Sequence, residues 1–311
     1  MSFVNPSSAS ARKPLETLLT GGQDGVLAII TGVEGPSYRP VGATMTILAD
    51  GTRAGTLSSG CIENDIALHA HEALKTGTTR SIRYGRGSPY IDIQLPCGGG
   101  LDILLVPRPE ETAMRAVVER QRARMPCTLS INTKTGDAVA SDEPIDGADI
   151  FAVRFDPQVR FCVFGKGPEA STFAALVQSA GYPNVMLSPD DETLEIAKGS
   201  GCAAQHLPKA AFPSDLKVDP WTAIILFFHD HDWEPPILKG AVDTPAFYIG
   251  AQGSQRARDA RLQEMITLGV PSEQLERLHG PVGLIPSARD AGTLAVSVLA
   301  EVLAEAMAKK Q

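Results

Sequence analysis

The chain has 311 residues, of which 43% are hydrophobic and 21% charged, and its formal net charge at pH 7 is −8. At about 100–200 residues per domain this length predicts two domains, and the acidic balance argues against nucleic-acid binding, which needs a basic face. The five cysteines are widely spaced and odd in number, which favours a reducing, cytoplasmic compartment over a disulfide framework. No apolar run approaches the ~18–20 residues of a membrane-spanning helix, so no membrane span is expected.

The first half is predicted to be a mixed α+β domain over residues 15–150, preceded by a polar, disordered lead-in at residues 1–14. Short β-like runs broken by glycine include "VLAIITGV", "ATMTILAD" and "IDIQL". Between them, apolar residues at helical spacing predict a helix that starts close to Cys61 and ends at Gly77. The segment "CTLSINTKTGDAVA" predicts a hairpin that turns at Thr135-Gly136.

The second half, residues 151–311, alternates strands with helices, which predicts a Rossmann-like, doubly wound parallel sheet. Its first strand runs into the glycine fingerprint of dinucleotide-binding loops, Gly165-x-Gly167-x-x-Ala170. The next strand ends before Asp190, a candidate for binding a ribose. Because Pro168 removes one amide from the fingerprint loop, three outcomes stay open for this half: NAD(P), another nucleotide, or no ligand.

A second loop at the predicted ligand-binding edge of this sheet follows the strand "TAIILFF" and contains His229 and Asp230. His231, Asp232 and Glu234 come directly after them. These side chains favour metal binding or acid–base chemistry. The alternative is that Asp232 caps the next helix, with Glu234 in its first turn.

A third loop follows the strand "AFYIG" and holds Gly253, Ser254 and Arg256. A helix N-terminus with an arginine nearby can bind a phosphate. The alternative is a surface helix capped by Ser254, with solvated charges further along it at Arg258, Arg261 and Glu264.

Two cysteines stand alone in glycine-containing turns of the first half, Cys61 in "LSSGCIEND" and Cys97 in "LPCGGGLDILLVP". Neither has a cysteine two residues away, so neither resembles half of a simple zinc or thioredoxin site. Both could be small residues packed in tight turns, since buried free cysteine is common. Cys127, Cys162 and Cys202 lie on strand-like runs and are predicted to be core residues.

These motifs together resemble the XdhC/CoxI family, accessory proteins of xanthine dehydrogenase and related molybdenum hydroxylases. The resemblance extends from about Gly25 to Leu303. In the first half the matching residues are Gly35-x-Ser37-x-Arg39-Pro40-x-Gly42-Ala43-x-Met45, Ser58-Ser59-Gly60-Cys61-Ile62-Glu63, Tyr84-Gly85 and Cys97-Gly98-Gly99. In the second half they are the Gly165–Ala170 loop, His229-Asp230 with Asp232, Gly250 with Gly253-Ser254 and Arg256, Pro281-Val282-Gly283-Leu284, and Ser297 with Ala300-Glu301.

The chain departs from the family pattern at three places. The family usually has glycine where Ser59 stands, and a further arginine is common at the position of Gln255. It usually has Asp-Ile-Gly where Ile285-Pro286-Ser287 stands.

The resemblance implies a chaperone that binds the molybdenum cofactor, supports its sulfuration by a cysteine desulfurase, and delivers it to an apo molybdenum hydroxylase. The cofactor is a pterin (molybdopterin) with a dithiolene and a phosphate, sometimes extended by a nucleotide. Thiolates suit a sulfur-rich metal centre, so Cys61 and Cys97 are the expected metal ligands. They are expected to approach one pocket near the second half, with Arg39, Glu63 and the amides of Gly98 and Gly99. The loops of the second half would hold the phosphate or nucleotide end, through Gly165, Gly167, Asp190, His229, Asp230, Gly253, Ser254 and Arg256.

Two other functions remain open on the sequence. One is an NAD(P)-dependent oxidoreductase that uses the Rossmann-like half, and the other is a sulfur-transfer enzyme with a persulfide on Cys61. No Ser-His-Asp or HExxH arrangement suggests a hydrolase. A homodimer is expected, because the long final helix offers an apolar face.

Overall fold

The computed structural model describes residues 12–22, 24–88, 95–96, 98–229 and 232–309. Contacts divide the chain into two compact units, Met1–Pro157 and Gln158–Gln311. The sequence placed this division between residues 150 and 151. It falls later because the strand Ile150–Phe155 pairs with the strand Cys127–Asn132 and so belongs to the first unit.

The first unit contains, in chain order, α1 (Arg12–Thr20), β1 (Gly25–Glu34), β2 (Thr44–Leu48), β3 (Arg53–Gly55), α2 (Glu63–Thr76), β4 (Arg80–Gly85), β5 (Gly100–Pro107), α3 (Glu111–Arg122), β6 (Cys127–Asn132), β7 (Ala138–Ser141) and β8 (Ile150–Phe155). An antiparallel sheet has the order β3-β2-β1-β5-β4, and a smaller one has the order β7-β6-β8. The pairing of β6 with β7 confirms the hairpin predicted at Thr135-Gly136. The predicted strand at "IDIQL" falls largely outside the described residues.

The central strand β1 is buried on both faces because side chains alternate across a strand. Val26, Ala28 and Ile30 pack in one core with α2, and Leu27 and Ile29 pack in another with α1 and α3. Burial on both faces explains why β1 reads as a continuous apolar run rather than an alternating one.

The helix predicted from near Cys61 is confirmed as α2. Ile66 and Ala70 on its apolar face are buried. The helix ends at Gly77, whose φ of 69° places it in the left-handed region and whose N–H donates to the carbonyl of Ala73. At the N-terminus, α1 begins at Arg12, within the predicted lead-in, because Leu15 and Leu18 are fully buried against the sheet. Residues 1–11 lie outside the described part of the chain.

The second unit contains β9 (Arg160–Gly165), α4 (Pro168–Ser179), β10 (Asn184–Ser188), α5 (Asp191–Gly199), β11 (Ala203–His206), β12 (Thr222–Phe227), α6 (Glu234–Val242), β13 (Tyr248–Ala251), α7 (Gln255–Thr267), α8 (Ser272–Leu275), β14 (Leu278–His279) and α9 (Ala291–Ala308). All neighbouring strands are parallel, and their order is β11-β10-β9-β12-β13-β14. This is the Rossmann order, and it confirms the predicted doubly wound sheet. The chain winds outward in opposite directions from β9 and β12, so a crevice is expected outside their carboxyl ends.

The final helix α9 packs on the second unit with only part of its surface. Ala295, Val298 and Val302 are buried in the core that contains α4. Val296 and Met307 are 55% and 68% exposed. Among the described residues α9 is the one helix long and apolar enough to cross a membrane, with a mean hydropathy of 1.5. A packed helix of a globular domain meets the same criteria of length and hydropathy, so this is weak evidence for a membrane-spanning helix.

Candidate functional site

Cys61 lies in the turn between β3 and α2, and its side chain is exposed. Cys127, Cys162 and Cys202 are buried, as predicted. Burial raises the pKa of the Cys127 and Cys202 thiols. Of the cysteines that the structure describes, Cys61 is therefore the one whose sulfur can meet a ligand or another protein.

The Cys61 turn is built around the carboxylate of Glu63. This residue is buried, with 9% of its surface exposed. Oε1 accepts hydrogen bonds from Thr56 Oγ1 (2.6 Å), Leu57 N (3.1 Å) and Ser58 N (2.8 Å). Oε2 accepts from Ser58 Oγ (2.7 Å), Gly60 N (2.9 Å) and Ile62 N (3.2 Å). Because Cys61 stands between Gly60 and Ile62, one carboxylate holds the backbone on both sides of the thiol.

This environment keeps Glu63 ionised. Burial disfavours the charged form, but hydrogen bonds from Thr56, Ser58 and the backbone outweigh it and lower the pKa of Glu63 from 4.5 to about 2. Both oxygens are occupied by donors of its own turn. The sequence suggested Glu63 as a direct cofactor ligand, whereas the geometry supports a residue that positions Cys61.

The second expected thiol, Cys97, lies outside the described residues, but Gly98 and Gly99 beside it are described. The backbone of Gly99 packs closely on the segment that follows β1. A Cβ at this position would lie 2.9 Å from the carbonyl oxygen of Glu34 and closer still to that of Pro36. Only glycine fits there, so the turn after Cys97 contacts the loop that leads to Arg39.

Arg39 presents an unpaired donor in this loop. Its Nε is buried without a hydrogen-bond partner among the described residues, and Nη1 donates weakly to the carbonyl of Tyr38 at 3.4 Å. A buried donor without an acceptor is costly unless a ligand supplies one. The guanidinium is therefore a candidate for binding an anion such as a phosphate.

At two departures from the family pattern, serine adopts a backbone conformation that favours glycine. Ser59 has a φ of 65° and Ser287 a φ of 57°, so both adopt the left-handed region that glycine enters without cost. In each place serine stands where the family usually has glycine. A non-glycine residue in this conformation costs on the order of 1–2 kcal/mol, and the turns are kept despite it.

In the second unit, two cavities of about 760 Å³ and 610 Å³ open at the carboxyl ends of β9 and β12. Glu169, Phe228 and His229 line both, so the two form one groove at the edge of the sheet. The larger cavity is bounded by residues 252–255 and 281–290, and the smaller by the fingerprint loop and the end of β10. This is the crevice that the strand order predicts.

The fingerprint loop has the expected shape, but two of its amides are already engaged within the protein. A Cβ at Gly165 would lie 2.5 Å from the carbonyl oxygen of Phe227, so this glycine serves close packing. The N–H of Gly167 donates to Thr193 Oγ1 at 2.9 Å, and the N–H of Lys166 donates to Phe227. Pro168 has no N–H to offer. Lys166, Gly167 and Pro168 therefore offer no free N–H to a pyrophosphate, whereas α4 begins without a side-chain cap.

Asp190, the expected ribose ligand, caps α5. Its Oδ2 accepts from the N–H of Thr193 at 3.0 Å and from its hydroxyl at 2.6 Å. These hydrogen bonds from the Thr193 side chain and backbone lower the pKa of Asp190. Asp190 also lines the smaller cavity, and its Oδ1 has no hydrogen-bond partner in the described part of the chain.

The loop after β12 carries no metal centre in its described part. His229 is exposed, and its Nε2 lies 3.5 Å from Glu169 Oε2. Asp230 and His231 lie outside the described residues. Within the described ranges no three His, Cys, Asp or Glu side chains are grouped to hold a metal ion. The alternative reading of Asp232 as a helix cap is wrong, because Trp233 is the N-cap of α6 and no side chain caps it.

The loop before α7 is capped as predicted, since Ser254 Oγ accepts from the N–H of Ala257 at 3.2 Å. Gly253 and Ser254 line the larger cavity, whereas Arg256 is not part of its wall. Arg289 lines the same cavity. Arg289 was not among the predicted site residues, and its signal was its place directly before Asp290, which caps α9.

The loop at residues 281–287 is held to α9 by Glu301 and Ser297, two residues that match the family pattern. Glu301 accepts hydrogen bonds from the N–H of Gly283 and from the hydroxyl of Tyr248, the latter at 2.6 Å. Ser297 Oγ accepts from the N–H of Ile285 at 2.7 Å. Burial and the carboxylate of Glu301 raise the pKa of Tyr248. Ser297 and Glu301 thus shape one wall of the larger cavity.

Glu234 lies in the first turn of α6, as expected, and it is buried together with Arg261, which was expected on a solvated surface. Arg261 Nη2 lies 2.8 Å from Glu234 Oε2, and their side chains are 5% and 1% exposed. Arg261 also donates to the carbonyl of Gln252 at 2.7 Å. Because Gln252 lines the larger cavity, this ion pair braces the cavity wall.

Fold and site together define a class of protein with two units, one holding an exposed thiol in a rigid turn and the other a Rossmann sheet with a groove at its edge. Residues 18–85 match the family model described as "XdhC and CoxI family", and residues 161–302 match the "XdhC Rossmann domain". The chain is also 36% identical over 294 residues to the molybdenum cofactor insertion chaperone PaoD of Escherichia coli, covering 94% of this chain and 86% of that protein. The chain belongs to the XdhC/CoxI family.

Two more distant relatives agree with this assignment. A Bacillus subtilis protein, described as a probable subunit of xanthine dehydrogenase, is 24% identical, over 93% of this chain and 95% of its own length. A crystal structure described as a xanthine dehydrogenase from Bacillus halodurans superposes with a TM-score of 0.77 at 22% identity, covering 96% of this chain and 97% of that one. At that identity the structural likeness establishes the fold alone.

Proposed function

We propose that this protein is a molybdenum cofactor chaperone, which binds the cofactor and inserts it into an apo molybdenum hydroxylase of the xanthine dehydrogenase type. The observation that carries the proposal is the exposed Cys61 in a turn held by six hydrogen bonds to Glu63. The similarity to PaoD, named as such a chaperone, supports it. In this function the cofactor is cargo, and the protein need not catalyse a reaction.

The chemistry of the chain suits different parts of that cargo. A thiolate at Cys61 is a soft ligand for a sulfur-rich molybdenum centre, and Cys97 is proposed as a second one. Arg39, whose Nε has no hydrogen-bond partner among the described residues, suits the phosphate. An accessible thiol site also suits exchange of an oxo ligand for sulfur supplied by a cysteine desulfurase. Free thiols of this kind persist in a reducing compartment, so we place the protein in the cytoplasm.

Replacing Cys61 by alanine is expected to remove most of the bound cofactor. The protein and its Cys61→Ala variant are expressed with molybdate, and molybdenum is measured by mass spectrometry and pterin by its oxidised, fluorescent form. We expect both to fall at least fivefold, because the soft ligand is lost. The matched control is Cys202→Ala, which removes a buried thiol and should leave cofactor content unchanged. Equal loading of wild type and Cys61→Ala would refute the thiol site.

The same purified proteins distinguish this function from two alternative functions. An NAD(P)-dependent oxidoreductase should bind NAD(P) saturably and lose this binding in Gly167→Ala. This function is disfavoured because the N–H groups of Lys166 and Gly167 already donate within the protein, and Pro168 has no N–H. A sulfur-transfer enzyme should carry a persulfide on Cys61 that alkylating reagents trap, with no need for bound molybdenum.

We further propose that the protein forms a homodimer through the exposed face of α9. Val296 and Met307 are exposed on one side of α9, and Leu299 and Leu303, which partly pack on the core, continue the same apolar stripe without a charged residue between them. We expect Val296→Glu to convert a dimer to a monomer in light scattering, because a buried, unpaired carboxylate is costly. Glu305→Gln, also on α9, is the control and should leave the mass unchanged. A monomeric wild type would disprove the dimer.

A further inference from the structure

The smaller cavity of the groove has an aromatic wall that the proposed function does not use. The ring of Trp233 stacks on that of Phe228, with centroids 5.7 Å apart and an angle of 14° between the planes. Phe228 is 4% exposed, and both rings line the cavity. Two prolines, Pro168 and Pro189, line it as well. Flat, rigid apolar walls of this kind suit a planar ring.

Polar groups stand beside this apolar wall. Asp190 and Lys166 both line the cavity. Thr193 engages only Oδ2 of Asp190, so Oδ1 is left as a hydrogen-bond acceptor. Its lowered pKa keeps the carboxylate ionised near neutral pH, and an ionised carboxylate only accepts hydrogen bonds. The natural partner of such a group is the exocyclic amine of an aminopyrimidine ring.

Two amides of the fingerprint loop cannot bind a pyrophosphate in this cavity. The amides of Lys166 and Gly167 are engaged, as described above, and Glu169 in the first turn of α4 adds a negative charge at the cavity wall. A phosphate placed here would meet the ammonium group of Lys166 but also the two carboxylates of Glu169 and Asp190. The volume of about 610 Å³ lies in the range of small-molecule sites.

We propose that this cavity binds an amino-bearing planar heterocycle by stacking on Trp233 and hydrogen bonding to Asp190. Resting on the proposed function, the heterocycle is a ring of the bound cofactor, either its pterin or a nucleotide base. Both sources share the same chemistry, a flat ring with an exocyclic amine. The phosphate of the same ligand lies outside this cavity.

The chain allows this contact to be observed directly, because its two tryptophans are Trp221 and Trp233. In a Trp221→Phe background, Trp233 is the sole tryptophan. This protein is titrated with three pairs that differ in the exocyclic amine: CMP and UMP, GMP and IMP, pterin and lumazine. Ribose 5-phosphate serves as the ligand without an aromatic ring. Tryptophan fluorescence reports the contact, and calorimetry gives the dissociation constants.

We expect saturable quenching by at least one amino-bearing compound, with at least fivefold tighter binding than its partner without the amine, and none by ribose 5-phosphate. Trp233→Leu should weaken this binding at least tenfold, whereas Trp233→Phe should stay within threefold. Asp190→Asn retains a good helix cap and should abolish the preference for the amine. Whether the nucleotide or the pterin pair shows the effect identifies the source of the ring.

The results that overturn the proposal differ from those that overturn the proposed function. Unchanged affinity in both Trp233→Leu and Asp190→Asn, or equal quenching by ribose 5-phosphate, would show that no ring is bound here, even if molybdenum and pterin still copurify with the protein. Quenching with the expected preferences but no copurifying molybdenum or pterin would leave the ring site standing and refute the chaperone. If Trp233→Leu fails to fold, the amine preference in Asp190→Asn decides.

Discussion

Glu63→Gln is expected to lower the free energy of unfolding of the first unit by roughly 3 kcal/mol at neutral pH. The reason is the shift of the Glu63 pKa from 4.5 to about 2, because each pKa unit corresponds to about 1.4 kcal/mol. A neutral amide retains an oxygen acceptor but turns its NH₂ group toward N–H and O–H donors. The backbone amides of Leu57, Ser58, Gly60 and Ile62 should then exchange with deuterium at least tenfold faster.

The pH dependence of this contribution has a definite sign. The folded pKa of Glu63 is depressed, so its stabilisation is fully present above pH 4.5 and is lost as the pH falls toward 2. The difference in unfolding free energy between wild type and Glu63→Gln should therefore shrink over that window. Denaturant titrations followed by circular dichroism at several pH values measure it. Glu119→Gln, an exposed substitution in the same unit, should change stability by less than about 0.5 kcal/mol.

The same variant tests the link from the turn to the proposed function. If Glu63 acts by holding the backbone on both sides of Cys61, cofactor content should fall in Glu63→Gln although the thiol is still present. Faster exchange of the turn amides with undiminished molybdenum would show that the rigidity of the turn is not needed for binding. Unchanged exchange would contradict the role of Glu63 itself.

Arg261→Met is expected to destabilise the second unit by about 3–5 kcal/mol, because it removes the guanidinium that pairs with the buried carboxylate of Glu234. For a unit of this size the melting temperature should fall by roughly 6–20 °C. Both tryptophans belong to the second unit, so tryptophan fluorescence follows its unfolding separately. Arg258→Met is the matched control, one turn earlier on α7. Arg258 is 36% exposed and its ion pair with Asp259 spans 3.8 Å, so its loss should cost less than about 1 kcal/mol.

A double variant measures the interaction between Glu234 and Arg261 apart from the other effects of each substitution. The double variant Glu234→Met/Arg261→Met removes both charges, and it should be clearly more stable than the sum of the two single variants predicts. Additive effects would mean that the two side chains do not interact in the folded protein. The wall of the larger cavity at Gln252 should also become more mobile in Arg261→Met, because the carbonyl of Gln252 loses its hydrogen-bond donor.

The sequence was sufficient for features whose signal is local and periodic. The apolar spacing of α2 and its terminal Gly77, the hairpin at Thr135-Gly136 and the Rossmann alternation all arise from contacts within a few residues or from burial on one face. The motif set was enough to predict the family, which the comparisons confirm.

Other features required the folded chain. The domain boundary moved because β8 pairs with β6, which a search for polar loops does not detect. Arg261 looked like one of several surface charges until the fold placed it beside Glu234, 27 residues away in sequence. Asp190 stands where a ribose ligand is expected, and only the fold showed that it also caps α5.

What the sequence determined by itself was the order of the helices and strands, the glycines of the tight turns, and the pair of thiols worth attention. Only the tertiary structure decided which polar groups were already satisfied. Glu63 gathers six donors around the Cys61 turn, and Thr193 takes the amide of Gly167, 26 residues away in sequence. The reason is physical: periodicity reports which face of an element is apolar, whereas a donor is free or engaged according to neighbours that only folding brings within about 3 Å.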